Sequence, residues 1–221
     1  MKVFLDTCIY TSYSFSNDAI FKNIINDLKS SKEKEQTVLL SVEEEFYNLH
    51  YKISTKVLLK VVKLVRNNNK DEFWEKLDEL SKEKNGQIFG ILQGIYGEDL
   101  FTNRRTLLYK RFQLSCKLLL HDYNTNTYNC ERYWNIPESA VQNELNWVQA
   151  NFCEFINPVN SSDAQHLAGA IKYEHTNKIF VSEDKIFKKF EIDTRYQQQI
   201  IIKNLEVLAP NSYSQTYITP T

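Results

Sequence analysis

KVFLDTCIY, residues 2–10, is the stretch on which the reading of this chain turns. Val3, Phe4 and Leu5 are strand formers in a row with no polar alternation, the pattern of a central parallel strand covered on both faces. Asp6 arrives where that strand must stop. In an open α/β sheet the ligand crevice lies beyond the carboxyl ends of the strands, which makes an acid at this point a site candidate as well as a turn or cap residue.

Outward from it, Ser16, Asn17 and Asp18 offer helix caps ahead of Ile20, Ile24, Ile25 and Leu28, spaced for a helix that runs to Lys34. TVLLS, residues 37–41, is a second short apolar strand. Val42, Phe46, Leu49, Ile53 and Val57 then repeat at three and four, with Lys52, Lys56, Lys60 and Lys63 on another side, predicting a helix to about Arg66. Strand, helix, strand, helix implies a parallel sheet with right-handed crossovers. From residue 71 the pattern turns helical: 71–84, 88–96, 104–120 and 137–152, with Leu108, Phe112, Cys116 and Leu119 as one apolar stripe. The last third returns to α/β. Ser161, Ser162 and Asp163 open a helix carrying Ala164, Leu167, Ala168 and Ile171; KIFVS, residues 178–182, is a strand followed by Glu183 and Asp184; residues 205–208 read as an edge strand and the tail beyond as loose. The expectation is one domain of α/β class, a parallel-sheet α/β/α sandwich with core 1–66 and 152–210 and a helical elaboration over 67–151.

The chain has 221 residues, 42% of them apolar and 13% aromatic, enough for a core of one globular domain. Its net charge of -1 supplies no global basic field, so nucleic-acid binding would need a local patch. Arg104, Arg105, Lys110 and Arg111 form the one dense basic cluster, readable as a solvated helix face or as phosphate contacts. Strand material from residue 2 leaves no room for a signal peptide and no apolar run approaches the roughly 18 residues of a membrane span, so a cytoplasmic protein away from membranes is expected. The four cysteines have no CxxC or Cys/His spacing, which favours free thiols over zinc or disulfides. Five glycines, none in a GxGxxG or GxxxxGK[ST] pattern, argue against a dinucleotide fold or a P-loop.

The acids fall on one edge of such a sheet: Asp6 and Asp184 after strands, Asp163 in the first turn of a helix, and Glu43, Glu44 and Glu45 opening the helix after the second strand. Carboxylates converging without Lys or Arg repel unless a cation neutralises them. Hard oxygen donors with no His or Cys partner suit Mg²⁺ or Mn²⁺, ions that activate water on phosphates. At about 100° per residue, Glu45 lies nearest the Val42/Phe46/Leu49/Ile53 stripe, Glu43 further round and Glu44 opposite. His166, three residues after Asp163, reads as packed or solvated rather than as a ligand.

In their order, KVFLDTCIY, the Glu-rich start of the second long helix, SSDAQHLAGAI and IFVSEDKIF resemble the four acidic motifs of PIN-domain ribonucleases, the family that includes VapC-type toxins. The resemblance covers residues 2–60 and 155–208 and leaves the helical middle outside. It implies a PIN-like fold and a metal-dependent endoribonuclease, a toxin, processing or defence enzyme. Asp6, Glu45, Asp163 and Asp184 would be catalytic and hold Mg²⁺ or Mn²⁺. Thr7 and Ser182 would be substrate-binding hydroxyls, joined by Arg104 and Arg105 of the basic cluster. RNA is the implied substrate, with an antitoxin protein and a second copy of the chain as further partners. Two other nuclease or module readings stand beside it: an enzyme acting on DNA, and a non-catalytic nucleic-acid or protein binding module on the same scaffold. A haloacid-dehalogenase-like phosphotransferase using Asp6 as nucleophile would want a second Asp two residues on, where this chain has Cys8.

Overall fold

The computed structural model describes residues 1–156 and 161–218; residues 157–160 of the expected core and 219–221 of the tail lie outside the described residues. The chain is α/β. Among the described residues it has five strands, all parallel, and eleven α-helices. In chain order the elements are β1 (Lys2–Leu5), α1 (Thr7–Phe15), α2 (Ala19–Ser30), β2 (Glu35–Leu39), α3 (Leu40–Asn67), α4 (Lys70–Lys82), α5 (Gln87–Tyr96), α6 (Arg105–Thr127), β3 (Glu131–Tyr133), α7 (Gln142–Phe152), α8 (Ser162–Lys172), β4 (Lys178–Val181), α9 (Lys189–Ile192), α10 (Thr194–Ile201), β5 (Leu205–Leu208) and α11 (Pro210–Tyr217). No helix of the described residues is long and apolar enough to cross a membrane.

The strands lie in the order β3-β2-β1-β4-β5. Their register pairs Phe4 with Thr37 on one side and with Phe180 on the other. The chain builds outward from β1 to β3, then returns beside β1 with β4, so the direction of winding reverses between β1 and β4. That reversal is the switch point of an open parallel sheet, where the carboxyl ends of neighbouring strands leave a crevice. Val3, Phe4, Leu5, Ile179, Phe180 and Val181 are all buried, as a doubly covered pair of central strands requires. Each such side chain contributes about 1.5–3 kcal/mol by leaving water.

The chain divides into two compact units: Met1–Tyr10, Ala19–Tyr47 and Thr127–Thr221 form the first, Thr11–Asp18 and Asn48–Asn126 the second. The first contains the sheet. The second has its own apolar core, in which Val61, Phe73, Leu77, Ile88, Leu92 and Leu100 are fully buried.

Three elements differ from the sequence expectation. Glu131–Tyr133, inside the stretch read as helical, is a strand paired with β2; it is three residues long and mostly exposed, so backbone pairing rather than an apolar run makes it. Thr7–Phe15 is a helix that starts directly after Asp6. The tail folds into α11, with Pro210 in its first turn and Tyr213 buried, donating a hydrogen bond to Asp27 Oδ2 at 3.3 Å. Docking on α2 overrides the weak helix preference of its Ser, Tyr and Thr residues.

Candidate active site

Asp6 leaves β1 while its N–H still bonds Val181 O of β4 at 2.9 Å, which fixes its Cα at the switch point. Its side chain is 3% exposed and fully engaged. Oδ1 accepts the Thr7 N–H at 2.7 Å and faces His166 Nδ1 at 3.2 Å; Oδ2 accepts the Ser182 hydroxyl at 2.6 Å and the Cys8 thiol at 3.3 Å. Asp6 is therefore at once the cap of α1 and the centre of the cluster. Burial alone would push its pKa up, but the hydrogen bond and charge of His166, with the bonds from Ser182 and Cys8, hold it below the ordinary carboxylate value.

Glu45 is brought in by the phase of α3. Its Oε2 accepts the Thr7 hydroxyl at 2.7 Å and its Oε1 the Ser162 hydroxyl at 2.9 Å. Glu43 points elsewhere, to Arg132 Nη2 at 3.3 Å, and Glu44 is exposed. The first turn of α3 is tied to α8 through Asn135, which is fully buried. Its Oδ1 accepts the Ser41 N–H at 3.0 Å, its Nδ2 donates to Gln165 O at 3.3 Å, and Gln165 Nε2 donates back to Asn135 O at 3.0 Å. Gly169 leaves room for that side chain; a Cβ there would stand 2.7 Å from Asn135 Nδ2.

Asp163 rides on the first turn of α8, whose N-cap Ser161 accepts the Ala164 N–H at 3.4 Å. It is half-buried and its carboxylate has no hydrogen-bond partner among the described residues. Burial, then the charges of Asp6 and Asp184, then that of Glu45, raise its pKa to about 6 against the pull of His166. Asp184 follows β4: its N–H donates to Ser182 Oγ at 3.1 Å and its Oδ1 caps Ile186 N–H at 3.0 Å. Its charge reaches Asp163. All four acids thus lie at one edge of the sheet in the first unit, and Asp163 feels the charge of the other three.

The sequence reading treated the cluster as free of basic partners. His166 is that partner. It is fully buried, with Nδ1 3.2 Å from Asp6 Oδ1 and Nε2 3.7 Å from Glu45 Oε2. Burial would lower its pKa, but Asp6 first, then Glu45 and Asp163, raise it. The signal was present in the sequence: a residue three after Asp163 stands on the same helix face. Thr7 and Ser182, expected at substrate, donate their hydroxyls to Glu45 and Asp6 and so orient the acids. Cys8 also went unread: it bonds Asp6, accepts the Glu183 N–H at 3.1 Å, and burial and the Asp6 charge keep it a thiol. Arg104 and Arg105 belong to the second unit, at the start of α6.

The donor set fits a hard divalent cation by its chemistry, since Asp163 carries repulsion that no donor on it relieves. Its spacing does not close around one as it stands: among the described residues no group of three or more His, Cys, Asp and Glu is arranged to hold a metal ion. No family model, no curated protein and no solved structure matches the chain.

Proposed function

We propose that this chain is a metal-dependent endoribonuclease with a PIN-like α/β/α sandwich, working in the cytoplasm in a toxin, processing or defence role. One observation carries the reading: four carboxylates from four separate segments, Asp6, Glu45, Asp163 and Asp184, gather at the switch point of a parallel sheet, where burial first and then the charges of the other three acids lift Asp163 to about 6. All four cysteines are free, in keeping with a reducing compartment.

Mg²⁺ or Mn²⁺ bound by these acids would neutralise the scissile phosphate and make its attacking water more acidic. The chain supplies the remainder. Thr7 N–H, Ser182, Cys8 and His166 fix Asp6, while Thr7 and Ser162 fix Glu45, so two donors are held in place before substrate arrives. Asp163, half-buried and without a hydrogen-bond partner among the described residues, would be free to turn its carboxylate to the cation when one is bound. Asp184 adds a carboxylate after β4.

A non-catalytic binding module is the second reading, and one observation favours it: His166 already neutralises part of the cluster, and among the described residues no three ligands close on a cation. Cleavage assays on single-stranded RNA, structured RNA and DNA, each with Mg²⁺, Mn²⁺ or EDTA, separate the readings. The nuclease reading expects cleavage of RNA that EDTA abolishes. Cleavage confined to DNA moves the substrate, and no cleavage of any polymer with either ion leaves the binding module.

A further inference from the structure

The second unit holds a cavity of about 400 Å³ lined by Lys70, Glu98, Asp99, Thr102, Arg104 and Arg111, with Phe101 and Leu107 as its apolar wall. The volume lies in the range of small-ligand sites. Its charges are arranged unevenly. Lys70 and Glu98 satisfy each other at 2.5 Å. Arg104 and Arg111 have no ion-pair partner among the described residues, although Asp99 shares the cavity with them. Arg111 is half-buried, its guanidinium lies 5.4 Å from the centroid of the Tyr96 ring, and its Nη1 is buried with no hydrogen-bond partner. The buried Nη1, left without an acceptor among the described residues, is held at a cost that an anion reaching it would recover. The cation–π contact with Tyr96 helps hold the guanidinium, and Tyr96 is itself anchored by donating its hydroxyl to Arg111 O at 3.0 Å. Thr102 Oγ1 accepts the Arg104 N–H at 3.2 Å, which leaves its own O–H to donate.

From this we infer that the cavity is a phosphate-binding site: a phosphoryl group seats against Arg111 and Arg104, hydrogen-bonds Thr102, and places its organic body along Phe101 and Leu107. Arg is the residue suited to a planar, bidentate grip on phosphate oxygens. The shared chemistry is a phosphate monoester or diphosphate, whether on a free nucleotide or on the end of an RNA. The site stands on its own observations and does not depend on the nuclease reading.

Calorimetric titration of the full chain in EDTA, which removes any cation-mediated contact, tests it with sodium pyrophosphate, adenosine 5′-monophosphate, and hexauridylate with a 5′-phosphate or a 5′-hydroxyl. Pyrophosphate should bind, Arg111→Gln and Arg104→Gln should each weaken it at least tenfold, and Asp163→Asn and Arg105→Gln, which lie outside the cavity, should leave it within twofold. Preference for the 5′-phosphorylated hexamer over adenosine monophosphate identifies RNA ends as the source, and the reverse order identifies free nucleotides. Circular dichroism checks each variant; should Arg111→Gln fail to fold, the exposed Arg104 carries the test alone. Absence of pyrophosphate binding, or an equal loss in Arg105→Gln, overturns the site.

Discussion

Asp6 and Asp163 carry the same functional group in opposite electrostatic circumstances. Asp6 is met on both oxygens by donors and by His166, whereas Asp163 has no donor on it among the described residues and meets burial and like charge that the pull of His166 does not offset. Crowding read from sequence suggests that Asp6→Asn should relieve repulsion; the structure moves that relief to Asp163. Asp6→Asn should abolish cleavage and also destabilise the fold by about 1–3 kcal/mol, because donors are left mismatched in a buried place. Asp163→Asn should abolish cleavage yet stabilise the metal-free protein near pH 7. An acid whose pKa rises on folding favours the folded state when protonated, so its stability contribution is full below about 3.8 and is lost as pH climbs to about 6. Chemical denaturation in EDTA should therefore show wild type losing stability relative to Asp163→Asn between pH 4 and 6, by about 1–2 kcal/mol after solvent screening, and holding level above. A constant difference across that window would remove the coupling. At this scale the sequence was legible where geometry is periodic: the phase of α3 separates Glu45 from the exposed Glu44, and Glu45→Gln should lose RNA cleavage while Glu44→Gln keeps it. His166 was legible only in part: its spacing of three puts it on the helix face of Asp163, but spacing alone does not say that the ring reaches Asp6 and Glu45 rather than packing in the core.

Among the elements, α8 depends on a loop residue. Asn135 ties α3 to α8, and Gly169 makes the room. On an isolated helix Gly→Ala gains up to about 1 kcal/mol. Here the added Cβ would meet a side chain pinned by three hydrogen bonds, to Ser41 N–H, Ser41 Oγ and Gln165 O, and overpacking of that kind costs about 1–3 kcal/mol. Thermal denaturation of Gly169→Ala should thus show a fall in Tm, with cleavage falling as Asp163 shifts; a rise in Tm would mean that the Asn135 clamp yields freely. The same pair marks the limit of reading elements from sequence. The β1, β2 and β4 strands and the long helices declare themselves by apolar runs and three-to-four spacing. The β3 strand does not, since ERY is specified by backbone pairing with β2, and α1 hides in TCIYTSYSF because β-branched and aromatic residues crowd every face.

For the whole molecule, an all-parallel sheet whose winding reverses between β1 and β4 is what brings residues 6, 45, 163 and 184 to one edge. A run of acids so far apart in the chain is legible as a set only once the topology is assumed; the cavity of the second unit, built from Arg104, Arg111 and Thr102, gives no such ordered signal. The central claim is that the four carboxylates form one cation-dependent centre. Calorimetric titration of Mn²⁺ into the metal-free full chain tests it most directly. The expected result is binding that Asp6→Asn, Glu45→Gln, Asp163→Asn and Asp184→Asn each weaken at least tenfold while Glu44→Gln does not, with a matching Mn²⁺-dependent rise in Tm for wild type. If wild type takes up no Mn²⁺, or the four substitutions leave its affinity unchanged, the acids are not a metal centre.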